Sequence, residues 1–141
     1  METHFETKYC HISYDPVNNW IVAAWKDYQT VEQIKTGMEE LLLVFKKTGC
    51  GFAINDLRSS KGTFTAVNSW LANEWMPRAL EAGYTLCAMV YPADIFTKFA
   101  VSDLARKYEK SGLTQFKLNS FDDINKAIQW IKQESPQFSK F

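Results

Sequence analysis

The chain has 141 residues, 46% of them hydrophobic and 15% aromatic, which suits one domain with a core built on large rings. Lysine and arginine number 16, as do aspartate and glutamate, so the formal net charge is +0 and the basic stripe of a nucleic-acid or membrane-surface binder is missing. The three cysteines, Cys10, Cys50 and Cys87, are an odd count without close metal-ligand spacing, which argues against a disulfide scaffold and for a reducing, cytoplasmic compartment.

In chain order, residues 1–5 read as a tail. Lys8 to Tyr14 alternates, with Cys10, Ile12 and Tyr14 on one side, the period of a half-buried strand. Asp15-Pro16-Val17-Asn18-Asn19 is turn chemistry, and Trp20 to Trp25 is an apolar strand, so the two strands form an antiparallel hairpin. Val31, Ile34, Met38, Leu41, Leu42 and Phe45 then recur at helical spacing, with Thr30 and Gln33 as a capping box and Gly49 as the stop. Cys50–Asn55 is a short apolar run expected to be a parallel strand buried on both faces, followed by a polar loop from Asp56 to Gly62. A second helix from about Thr63–Thr65 buries Val67, Trp70, Leu71 and Trp75, and Pro77 predicts a kink or break near Met76. Tyr84 to Tyr91 is a further central strand. Asp94 caps a third helix with Phe96, Phe99, Ala100 and Leu104 inward. Thr114 to Leu118 suits an edge strand, and Ser120 is read as the cap of a last helix burying Ile124, Ala127, Ile128 and Ile131. Residues 135–141 read as a tail. The order β-β-α-β-α-β-α-β-α predicts a single-domain α/β fold, with a largely parallel or mixed sheet and an antiparallel edge hairpin.

Ligands of open α/β sheets sit beyond the carboxyl ends of the strands. That rule points to four stretches: Lys26-Asp27-Tyr28-Gln29, Asp56-Leu57-Arg58-Ser59-Ser60-Lys61-Gly62, Tyr91-Pro92-Ala93-Asp94 and Asn119-Ser120. The second offers a carboxylate, two cations and two hydroxyls before a helix start, a setting that suits an anion; the alternative is an ordinary polar loop with Asp56 and Arg58 paired. No enzyme is expected. His4 and His11 are not near any nucleophile in sequence, no Gly-rich phosphate loop occurs, and Asp122-Asp123 fits helix capping. No metal or cofactor is expected either, the histidines and scattered cysteines making a poor zinc set. A phosphoacceptor receiver domain is ruled out by the missing acidic pair after an early strand and by Asn119-Ser120 where a lysine is needed.

The initial hairpin, the strand Cys50–Asn55 ending in Asp56, the Trp-rich helix Trp70–Trp75 and the terminal helix Phe121–Ile131 together resemble the bacterial STAS/SpoIIAA-like family. That family includes anti-sigma-factor antagonists and a looser branch related to CRAL-TRIO lipid-binding domains. The antagonists carry Asp-Ser after this strand and the serine is phosphorylated; here Asp56 matches, but Leu57 stands where the serine would be. Phosphate on Ser59 or Ser60 would be accommodated near a helix start. The resemblance and the missing catalytic set imply a non-catalytic protein-binding or regulatory module, working through Asp56, Arg58, Ser59, Ser60, Lys61, Trp70, Trp75 and Tyr91. The alternative is a carrier of a small hydrophobic, lipid-like ligand in a cleft lined by Phe64, Trp70, Trp75, Met76, Phe96 and Phe99. A homodimer is compatible with either; a membrane span is not expected, because no apolar run approaches the ~18 residues one needs.

Overall fold

The computed structural model describes residues 1–62, 64–91, 95–110 and 116–135, without the side chains of 95–97. One six-stranded mixed sheet organises the chain, and its strands lie in sequence order. They are β1 Glu2–Glu6, β2 Cys10–Asp15, β3 Trp20–Asp27, β4 Phe52–Ser60, β5 Leu86–Val90 and β6 Lys117–Phe121. The pairs β1–β2 and β2–β3 are antiparallel, and β3 through β6 run parallel. The helices are α1 Val31–Thr48, a composite helix α2 over 65–81, α3 Ile95–Lys110 and α4 Ile124–Glu134. This is the expected α/β fold with one added strand.

That added strand corrects the reading of residues 1–5 as a tail. Glu2–Glu6 pairs with β2 from Glu2↔Tyr14 to Glu6↔His11, and Thr7 Oγ1 accepts from the Cys10 backbone N–H at 3.0 Å to close the turn. A second correction concerns the polar stretch after Asn55. Asp56 to Ser60 is not a loop but the outer half of β4, paired with β3 through Lys26↔Ser59 and Asp27↔Ser60. A register shift separates Ala24↔Asp56 from Lys26↔Ser59, which gives β4 one extra residue. Such a bulge re-aims the side chains that follow it.

Parallel neighbours in sequence order, joined by right-handed crossovers, place their connecting helices on one face. Accordingly α1, α2 and α3 share a core with Ile12, Ala23, Ala53, Cys87 and Met89. The opposite face carries Trp20, Ile54, Leu86, Ala88 and Val90 and is covered by α4 through Ala127 and Ile131. The strand alternation is the physical cause: successive residues of β5, Leu86 to Val90, serve the two cores in turn and all are buried.

Local chemistry sets the helix ends. Thr30 and Gln33 form the expected capping box, and Gly49 takes φ +69° after α1, the left-handed turn that glycine enters without strain. The last helix is capped by Asp123, whose Oδ1 accepts from the Asn125 N–H at 2.7 Å, and not by Ser120, which lies inside β6. The expected disturbance before Pro77 takes the form of a π turn at Leu71–Trp75, with the Met76 N–H donating to the Leu71 carbonyl. The wider turn accommodates a ring that would otherwise clash with the carbonyl four residues back. Ser135 is buried and its N–H donates to Ile131 O, so the chain is still held there; 136–141 lie outside the described residues. The expected Asp94 cap also falls outside them.

Candidate functional site

The space of interest lies between the sheet and α1–α3. Trp25 of β3, Asn55, Leu57 and Ser60 of β4, Cys87 and Met89 of β5 and Leu118 of β6 form its floor. Ile34 and Met38 of α1, Leu71 and Trp75 of α2, and Leu104 and Tyr108 of α3 form its roof, with Tyr84 and Phe116 at one end. Gln29, Gly62 and Phe64, in the segments that follow β3 and β4, stand at the other end, where Gly62 is exposed. The space is narrow. About 50 Å³ of it is wide enough for a water molecule, inside an envelope of about 640 Å³ that includes its opening to solvent.

Each wall has a local cause. The bulge in β4 brings Leu57 and Ser60, three residues apart, to the same cavity. The π turn of α2 contributes Leu71 and Trp75, a placement such turns often have at functional sites. Trp75 is fully buried and its indole N–H donates to Met38 O at 2.8 Å, so the ring is fixed without an unsatisfied donor. Trp25 is fixed by donation from Nε1 to Asn55 Oδ1 at 2.7 Å, and it approaches α1 over Gly37, where a Cβ would lie 2.4 Å from Trp25 Cη2. Tyr84 links the rings, stacked on Phe45 at 4.4 Å between centroids and edge-on to Trp75 at 5.7 Å. Tyr108 meets Phe116 edge-on at 5.8 Å.

The walls carry no net charge. None of the described residues lining the cavity is acidic, basic or histidine. Burial raises the phenols of Tyr84 and Tyr108 well above the ordinary tyrosine range, and it pushes the Cys87 thiol up to about 12. All three therefore stay protonated at neutral pH.

The residues expected from sequence to form one site are divided among several places. Ser60 and Trp75 line the cavity. Asp56 and Arg58 pair with each other, Nε to Oδ1 at 2.9 Å and Nη2 to Oδ2 at 2.8 Å. That hydrogen bond to Asp56 raises the guanidinium pKa, with a smaller contribution from Asp123 at the start of α4. Ser59 is exposed, and exposed Lys61 lies 4.0 Å from Asp27. Trp70 is half-buried beneath the Lys35 ammonium, 5.4 Å from its ring centroid. Tyr91 belongs to a separate polar hollow with Lys98, Ser120, Phe121, Asp122 and Lys126.

The expected cleft is corrected in its lining. Phe64 and Trp75 belong to it, whereas Met76 packs in the core beside it and Phe99 is 57% exposed. Phe96 lies outside the described side chains. Leu57 lies in the stretch read as a polar loop but is buried at the cavity, and Asn55, Tyr84, Met89, Leu104 and Tyr108 have the look of ordinary core positions in the sequence. The three cysteines are free and buried, and among the described residues no three His, Cys, Asp or Glu side chains group as a metal site. No helix among the described residues is long and apolar enough to cross a membrane. No family model matches the chain, and no curated protein does.

Proposed function

We propose that this domain is a non-catalytic binding module of STAS/SpoIIAA-like type, and that it carries a small hydrophobic ligand in the space between its sheet and α1–α3. One observation carries the reading: an apolar, ring-lined cleft reaches the segments that follow the carboxyl ends of β3 and β4, where Gly62 is exposed. Ligand sites of open α/β sheets lie at that edge, and small-molecule sites combine apolar walls with few polar groups. A cleft this narrow suits a slender molecule. The proposal includes no phospho-switch at the position the antagonists use, because Leu57 has no hydroxyl and is buried against the cavity.

The test is native mass spectrometry of the gently purified protein. The expected spectrum shows a discrete small adduct that organic extraction removes. Returning the extract should raise the melting temperature, since a ligand at a hundredfold its Kd stabilises by about 2.7 kcal/mol. A protein that is empty as purified and gains no stability from cell extract contradicts the proposal.

A further inference from the structure

The hydrogen-bonding inventory of the cavity narrows the chemistry of its ligand. Ser60 Oγ donates to Gln29 Oε1 at 3.1 Å, and Gln29 Nε2 donates to the carbonyls of Lys26 and Asp27, each at 2.7 Å. Gln29 is thus occupied at both ends of its amide. The Tyr84 hydroxyl lies against the Cys87 thiol. Two groups differ. Trp25 Nε1 can only donate, so the atom of Asn55 that it meets is the carbonyl oxygen, and the Asn55 NH2 group is oriented away from it. That NH2 group and the Tyr108 hydroxyl make no hydrogen bond among the described residues, although both residues line the same narrow space.

Asn55 is only half-buried, and a ligand that displaces water from donors such as these must return a hydrogen bond to them. The described walls also hold no cation to balance an anion, and an ionised carboxylate moved there would lose its hydration without compensation. Building on the ligand-carrier reading, we propose that the ligand is an uncharged apolar molecule with one oxygen acceptor, a ketone, aldehyde, ester or ether, which takes its hydrogen bonds from Tyr108 and Asn55. The rings of the walls cover the remainder of the molecule. The rule that follows is simple: neutral oxygen-bearing compounds enter and carboxylates of the same size do not.

2-Pentanone, n-pentane and butyrate form a matched set of slender probes, and ligand-observed NMR titration gives their affinities for the wild type and for Tyr108→Phe. The substitution keeps the ring that packs on Phe116 and removes only the hydroxyl. 2-Pentanone should bind the variant roughly tenfold more weakly. n-Pentane should bind both proteins equally, which also reports that the variant is folded. Butyrate should not compete with either. Equal loss or no loss for the two neutral probes overturns the polar anchor while leaving the ligand-carrier reading in place, as does butyrate binding as tightly as 2-pentanone. Failure of both neutral probes to bind the wild type, with only water filling the space, overturns the carrier reading itself.

Discussion

Asp103 shows how one side chain ties a helix pair that roofs the cavity. Asn68, fully buried at the start of α2, donates from Nδ2 to Ala100 O and to Asp103 Oδ2, both at 3.0 Å. Lys107 Nζ donates to the same carboxylate at 3.0 Å. The Asn68 hydrogen bond, then that of Lys107, lowers the Asp103 pKa below the ordinary carboxylate value. A lowered folded-state pKa gives stability above the unfolded value, and this is lost as pH falls through the folded one. Asp103→Asn should therefore melt below wild type at pH 7, and the gap should close on acidification below the ordinary carboxylate range, about pH 4. Thermal melts from pH 7 to 2 check this. A gap that persists unchanged at the acid end contradicts the assignment.

Among the elements, the join between β4 and β5 tolerates the least change. Gly51 precedes β4, and its carbonyl accepts from the N–H groups of Thr85 and Leu86 at 2.9 and 3.2 Å. A Cβ on Gly51 would lie 1.9 Å from the Gly83 carbonyl oxygen, a backbone atom that cannot swing aside. Gly49, two residues earlier, has nothing within 4 Å of such a Cβ and strains only its left-handed φ of +69°. Gly51→Ala should cost about 3 kcal/mol or more, the upper end of ordinary overpacking, and Gly49→Ala about 1 kcal/mol. Chemical denaturation of the two variants gives the ranking, and the reverse order contradicts this account of the join.

The same elements show what the sequence carried and what it did not. The α1 stripe, its Thr30–Gln33 cap and the β2–β3 hairpin were legible because periodicity and turn chemistry agreed locally. Glu2-Thr3-His4-Phe5-Glu6 has no such agreement; it is a strand because β2 offers it an open edge. Asp56 to Ser60 looks like a loop by composition, and pairing with Lys26 and Asp27 overrides that composition. For the candidate site, Trp75 and Phe64 were found by their rings. Asn55 and Tyr108 were not, since what distinguishes them is a missing partner, and that depends on contacts between residues far apart in the chain.

At the scale of the whole molecule, the sheet separates two cores that are built differently. Beneath α4, Ile54, Ala88 and Val90 are buried with Trp20, and Phe52, Phe121 and Trp130 pack against them. Beneath α1–α3 the rings of Trp25, Phe64, Trp75, Tyr84, Tyr108 and Phe116 meet around a space they do not fill. Large rigid rings pack with fixed preferred geometries, so a core rich in them can hold a gap that aliphatic side chains would close. The central claim is that this gap is a ligand site, and the four methionines of the chain report on it directly. Met38 and Met89 line the cavity, Met76 is buried outside it, and Met1 is 71% exposed. In a ¹H–¹³C spectrum of methyl-labelled methionine, added 2-pentanone should shift the Met38 and Met89 methyl signals saturably and leave Met1 and Met76 in place. Movement confined to Met1, or no movement of Met38 and Met89 at saturating probe, would contradict the claim.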